Sequence, residues 1–183
     1  MGIKETNLKD CYVISPHVFK DERGYFFESF NKKTFEKLTG LSIDFVQDNQ
    51  SQSSKGVLRG LHFQTGSFAQ AKLVRVIEGS VLDVCVDLRP KSSSFGNSFS
   101  IVLDAVDKKQ LFVPRGFAHG FLVLEEDTIF SYKCDNYYNK EAEGGLIFND
   151  KDLNINWGFP EINKELSSKD KELPTLSEYL NEN

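Results

Sequence analysis

Two segments, Gly56-Val-Leu-Arg-Gly-Leu-His-Phe-Gln64 and Gln70-Ala-Lys-Leu-Val-Arg-Val-Ile77, set His62, Lys72, Arg59 and Arg75 among apolar residues that otherwise read as buried strands. An unpaired polar group in such a strand costs free energy, so these side chains require partners or a ligand. A base beside cations in an apolar interior suits an anionic substrate whose chemistry is proton transfer. Taken singly, each histidine reads more naturally as a hydrogen-bonded core residue, and Tyr132 as a core tyrosine with a satisfied hydroxyl. Lys72 is harder to place that way, because lysine is almost never fully buried without a partner. Their joint occurrence is the signal.

These residues sit within a series of short apolar runs separated by Gly, Asp, Asn and Ser. The spacing predicts strands over 12–19, 24–30, 43–49, 56–64, 71–77, 81–88, 98–103, 110–113, 117–124 and 128–136, the pattern of a sandwich or barrel. The short Glu78-Gly79-Ser80 link predicts a hairpin. A helix is expected over 31–38, with Asn31 as cap, Phe35 and Leu38 on one face and Gly40 as a left-handed stop. The segment after Lys151 reads as turns and short helices packed on the sheets.

Strand parity tells which polar groups point inward. His119 shares a face with Phe117, Phe121 and Val123, and Tyr132 with Phe130. By the same alternation Ile43 and Phe45 lead into Gln47 and Asn49, Leu58 and Gly60 into His62 and Gln64, and Lys72 into Val74 and Val76. If these faces line one interior, His62, His119, Lys72, Tyr132, Gln47 and Asn49 converge in a cavity with apolar walls. Arg59 faces the other way in a regular strand and requires a bulge near Gly60 or a place at the barrel mouth.

The chain has 183 residues, with 39% hydrophobic residues, 16 Phe and 6 Tyr, which suits one globular domain over 1–183 that buries a full core. A net charge of −5 argues against a nucleic-acid footprint, which needs clustered Lys and Arg. No apolar run approaches membrane-spanning length, and the expected location is cytoplasmic. Cys11, Cys85 and Cys134 form neither a disulfide framework nor a zinc ribbon and are expected as reduced thiols.

Pro114-Arg-Gly-Phe-Ala-His119 resembles the second signature of the cupin superfamily, which delivers a metal ligand from a β-barrel. The first cupin signature carries a His-x-His pair, whereas His62 is followed by Phe63 and Gln64. With 3 histidines in all, one of them His17 on an early strand, a metal centre is not expected, although two histidines and a carboxylate would be a possible set.

Longer motifs are similar to those of the dTDP-4-dehydrorhamnose 3,5-epimerase family, nucleotide-sugar epimerases of the cupin fold. They are Asp21-Glu-Arg-Gly-Tyr-Phe-Phe-Glu28, Phe45-Val-Gln-Asp-Asn49, Gly56-Val-Leu-Arg-Gly-Leu-His62, Lys72-Leu-Val-Arg75, Val113-Pro-Arg-Gly-Phe-Ala-His-Gly-Phe121, Tyr132-Lys-Cys-Asp-Asn-Tyr-Tyr138 and Ser168-Lys-Asp170. The resemblance covers nearly the whole chain. It implies an all-β, cupin-type jelly-roll barrel with a few short peripheral helices.

For chemistry, the resemblance implies His62 as general base, Asp170 as its orienting carboxylate, Tyr132 as general acid on the other face of the sugar, and Lys72 as the group that steadies the enolate. Arg23, Phe26, Glu28, Gln47, Asn49, Arg59, Lys72, His119, Glu143 and Lys169 match positions that hold the nucleotide, diphosphate and sugar. The family is homodimeric, with early strands contributing to the partner's site, and needs no cofactor or metal. The implied reaction converts dTDP-4-dehydro-6-deoxy-D-glucose to dTDP-4-dehydro-L-rhamnose. Other readings are a 3- or 5-epimerase of another nucleotide sugar, a metal-dependent cupin enzyme, and a non-catalytic sugar-binding cupin. An opposed acid and base favour epimerisation, because a binding module needs neither.

Overall fold

The structure, a computed structural model, describes residues 1–160 and 162–182. Most of the chain is laid out in two antiparallel sheets. One sheet has six strands: β1 (Gly2–Glu5), β2 (Tyr12–Ser15), β10 (Gln110–Val113), β7 (Lys72–Glu78), β12 (Thr128–Cys134) and β5 (Gln47–Ser53), in that spatial order. The other has five: β13 (Glu143–Gly145), β6 (Leu58–Gln64), β11 (Phe117–Val123), β8 (Ser80–Asp87) and β9 (Ser98–Asp104). A separate ribbon pairs β3 (Val18–Asp21) with β4 (Gly24–Phe27).

The two sheets face each other as a jelly-roll sandwich. Between them lie Val74 and Val76 of β7, Leu111 and Val113 of β10, Phe130 of β12, Val81 and Cys85 of β8, and Phe117, Phe121 and Val123 of β11. Alternation along each strand sends the other side chains outward, yet these too are covered. Leu82, Val84, Val86, Ala118 and Leu122 pack beneath Leu146, Leu153, Trp157 and Ile162 from the later part of the chain. β8 and β11 are therefore buried along their whole length, as expected for strands covered on both faces.

On the opposite side, α1 (Lys32–Thr39) covers the six-stranded sheet. The Asn31 side chain accepts from the Thr34 amide at 3.0 Å, and Gly40 ends the helix at φ 72°. Phe35 is fully buried against Phe112, with ring centroids 5.1 Å apart. Burying such a ring contributes about 1.5–3 kcal/mol. The helix expected over 31–38 is thus present, one residue displaced.

Several expectations need correction. The strand over 12–19 is two strands in different sheets, because Pro16 lacks the N–H a ladder requires. His17 lies in the break between them. The strand over 43–49 begins only at Gln47 and runs on to Ser53; Ile43 and Phe45 instead pack on the outer layer with Phe35. They do not share the face of Gln47 and Asn49. The Glu78-Gly79-Ser80 link joins β7 to β8 in different sheets, so it is a corner and not a hairpin. β1 and β13 were not anticipated.

Candidate active site

A cavity of about 540 Å³ opens between the sheets and is lined by Arg59, His62, Lys72, His119, Tyr132, Glu143, Lys169 and Asp170, among others. Its construction begins at a bulge in β6. Opposite β11, His119 pairs with His62 and Phe121 with Arg59, so β6 carries one residue more than its partner over this stretch. Gly60 makes the bulge possible. It has φ 117°, and a Cβ there would stand 2.7 Å from both the Gly120 Cα and the His119 carbonyl oxygen. The extra residue brings Arg59 and His62 to the same cavity while Leu58 and Leu61 enter the outer layer. The bulge required by Arg59 is present, and it separates Leu58 from His62, which simple alternation had put on one face.

Asp170 arrives from the far end of the sequence. Glu165 forms a parallel bridge with Val57: the Leu58 amide donates to the Glu165 carbonyl at 2.8 Å, and the Glu165 amide to the Gly56 carbonyl at 2.9 Å. This close approach requires glycine at 56, where a Cβ would meet the Asn163 carbonyl oxygen at 2.3 Å. The next turn, α2 (Ser168–Lys171), is capped by Ser167, whose hydroxyl accepts from the Asp170 amide at 3.1 Å. Asp170 is thereby buried with Oδ1 at 2.7 Å from Nε2 of His62, and Oδ2 accepts from the Gly60 amide at 3.4 Å. Burial lowers the pKa of His62 from 6.5, outweighing the upward pull of Asp170.

The opposite wall belongs to the six-stranded sheet. Lys72 of β7 and Tyr132 of β12 meet there, with Nζ 5.9 Å from the tyrosine ring centroid. Neither makes a side-chain hydrogen bond or ion pair among the described residues. Burial lowers the lysine pKa and raises that of the tyrosine. Behind them Cys134 accepts a contact from Asn49 Nδ2 at 3.7 Å, and burial first of all pushes its thiol up to about 11. The thiol therefore remains neutral and leaves Lys72 without a bonded counter-ion.

At the mouth, the Arg59 guanidinium donates to Ser53 Oγ through Nε at 3.2 Å and Nη2 at 3.1 Å. Glu143 accepts from Lys169 at 2.5 Å and from the Tyr138 hydroxyl at 3.0 Å. Burial disfavours its charge, but these two bonds prevail and its pKa lies below the usual value. Gln47 and Asn49 line an adjoining recess of about 260 Å³ that shares His62, Lys72, Tyr132 and Glu143 with the main cavity.

Three expected residues stand apart. Arg23 lies in the β3–β4 turn, paired with Asp21 at 2.6 Å; Phe26 is 69% exposed on β4; Glu28 just beyond accepts from Asn31 at 3.0 Å. The fold does not bring them to this chain's cavity. Conversely, Asp83 of β8 was overlooked. It is fully buried and bonds His119 Nε2, at 3.1 and 3.0 Å to its two oxygens. A carboxylate inside the apolar run Val81-Leu-Asp-Val-Cys-Val86 carries the same signal that singled out His62. Among the described residues, no three His, Cys, Asp or Glu side chains converge as a metal site would need.

This site can be set beside known proteins. The sequence model described as dTDP-4-dehydrorhamnose 3,5-epimerase matches residues 5–178. The protein of that name from Escherichia coli K12 is 49% identical over 181 residues, covering 98% of this chain and 97% of its own. The crystal structure of dTDP-4-dehydrorhamnose 3,5-epimerase from Elizabethkingia anophelis NUHP1 superposes with a TM-score of 0.94 at 58% identity, covering 97% of each chain. The dTDP-6-deoxy-D-glucose-3,5-epimerase of Legionella pneumophila Philadelphia 1, solved in complex with dTDP-4-keto-L-rhamnose, gives 0.92 at 44% identity over 96% of this chain and 93% of its own. With a family model matched over residues 5–178 and relatives 49% and 58% identical over nearly the whole length, the chain belongs to the dTDP-4-dehydrorhamnose 3,5-epimerase family.

Proposed function

We propose that this chain epimerises a nucleotide-linked 4-keto-6-deoxy sugar at carbons 3 and 5, taking dTDP-4-dehydro-6-deoxy-D-glucose to dTDP-4-dehydro-L-rhamnose. The observation that carries the reading is the placement of His62 and Tyr132 on opposing sheets across one cavity. Inversion at carbon demands a base on one side and a proton donor on the other. The carbonyl at carbon 4 acidifies the hydrogens at carbons 3 and 5, so removal of either leaves an enolate and no redox step is needed.

His62, neutral because burial lowers its pKa, takes the proton. Asp170 accepts from Nε2 and so directs the lone pair on Nδ1 to the substrate. Lys72, unpaired in the resting cavity, receives the oxyanion; one such donor is worth about 3 kcal/mol in other enzymes. Tyr132, kept protonated by burial, returns a proton from the opposite wall. Arg59 and Lys169 supply cations at the mouth for the diphosphate, the guanidinium offering a bidentate fork.

Arg23, Phe26 and Glu28 act on a second copy of the chain. They sit on a ribbon whose cross-strand pair Phe19 and Phe26 is 58% and 69% exposed, and such a pair of exposed rings suits a protein surface as partner. The working form is a homodimer with shared sites, each subunit one domain, acting in the cytoplasm on a soluble nucleotide sugar. Among the described residues, no helix is long and apolar enough to cross a membrane.

The deciding experiment follows solvent deuterium into carbons 3 and 5 of a 4-keto-6-deoxy nucleotide sugar by NMR. Incorporation at both carbons, with the L-rhamno product formed, supports the reading. Absence of exchange on every nucleotide tested would reject it.

A further inference from the structure

We infer that Asp83 is a positioning residue that holds His119 as a hydrogen-bond acceptor toward the cavity, so that His119 reads a hydroxyl of the sugar and not the diphosphate. The inference rests on the epimerase reading above and deepens it, because the resemblance leaves open which part of the substrate His119 meets.

The geometry begins with the carboxylate. Asp83 is fully buried, and among the described residues its side chain is hydrogen-bonded to the His119 ring alone, through Nε2 to both oxygens. A carboxylate accepts, so Nε2 carries the proton. The ring cannot turn away easily, since it stacks on Phe130 at 6.2 Å with an interplanar angle of 22°. Every fully buried side-chain nitrogen or oxygen among the described residues has a partner, and none is recorded for Nδ1 of His119, so Nδ1 opens onto the cavity. In the neutral ring, a proton on Nε2 leaves a lone pair on Nδ1.

That lone pair selects the ligand group. Phosphate oxygens are acceptors and would oppose it, whereas a sugar hydroxyl donates to it. Position agrees, because His119 pairs directly with His62, beside the atoms that must lose protons, while Arg59 lies further along the strand at Phe121. The cations Arg59 and Lys169 already serve acceptor oxygens, which leaves His119 for the donor side of the sugar.

Nitrogen-15 NMR of histidine-labelled protein at neutral pH, without substrate, tests the tautomer, with His119→Gln identifying the signal. The expected spectrum has His119 protonated on Nε2 and bare on Nδ1; a proton on Nδ1, alone or with one on Nε2, would overturn the inference. Asp83→Asn then reverses the bond, because an amide can donate to Nε2 and move the proton to Nδ1. That variant should raise KM for the nucleotide sugar about ten-fold, the scale of one hydrogen bond made unfavourable, and leave inhibition by dTDP unchanged. Equal weakening of dTDP would assign His119 to the diphosphate and defeat the proposal, as would an unaltered KM with the tautomer reversed. If Asp83→Asn does not fold, the wild-type spectrum still decides. That spectrum is also independent of turnover, so failure of the epimerase reading would register separately, as absent exchange in the parent enzyme.

Discussion

The Asp170 carboxylate bonds His62 through one oxygen and the Gly60 amide through the other, gripping the bulge that turns the imidazole into the cavity. The same carboxylate that orients the base therefore also fixes the backbone carrying it. The two substitutions that probe this contact differ in what they leave behind.

His62→Ala removes the base and leaves the cations at the mouth in place. Deuterium exchange at both carbons should fall about a hundred- to ten-thousand-fold while dTDP still binds. Asp170→Asn keeps an oxygen near the ring but loses the charge, and should cost on the order of ten- to a hundred-fold. Near-parental exchange in a folded His62→Ala protein would remove His62 from the mechanism.

Tyr132→Phe keeps the ring beside Phe130 and Lys72 and removes only the hydroxyl. Abstraction by His62 continues, so deuterium should still wash in, but the enolate is reprotonated from its original side and the doubly inverted sugar should scarcely accumulate. Product NMR in deuterated water reads both events. Parental yield of the inverted product would mean that another group supplies the proton.

The pH profile follows from burial. The base works in its neutral form, and its pKa in the folded protein lies below 6.5, so kcat/KM should hold level through neutrality and decline only on the acid side of that value. On the alkaline side, the lowered pKa of Lys72 brings the loss of its charge below the usual lysine range of 10.5. Tyr132→Phe should leave the acid limb where it is. An acid limb centred above 6.5 in the parent would contradict the desolvated base.

Chelation is a separate test of the chemistry. Proton transfer through an imidazole, an ammonium and a phenol requires no metal, so turnover should survive exhaustive EDTA treatment. Activity lost to EDTA and restored by one divalent ion would place a metal in the reaction.

How much of this could be read from sequence depends on the element. The strands β6, β7, β8, β10, β11 and β12 all lie inside their sheets, so burial imposes the alternation that makes them visible. β5 is an edge strand of Gln, Asp, Asn and Ser, with no apolar side to betray it, and its position was confused with Ile43 and Phe45 upstream. Arg59 and His62 show a subtler limit. Their odd spacing announces a bulge near Gly60, but only the pairing with Phe121 and His119 shows that Leu58 packs into the outer layer as a result. Asp83 is an acid in an apolar strand and as informative as a base there, but its partner His119 lies 36 residues away on β11, and only the fold brings the two together.

The bridge between Val57 and Glu165 gives the enzyme a dependence that its barrel does not share. His62, Lys72 and Tyr132 belong to strands knitted into the two sheets, whereas Asp170 sits on a short turn outside them, joined to β6 through this bridge; segments outside the sheets are in general the first to open locally. On warming, orientation of the base should thus fail before the sandwich melts, and activity should vanish at a temperature where circular dichroism still reports intact sheets. The docking of one short stretch of chain should then set the working range of the enzyme, and variants stabilised in the barrel alone should lose activity at the parental temperature.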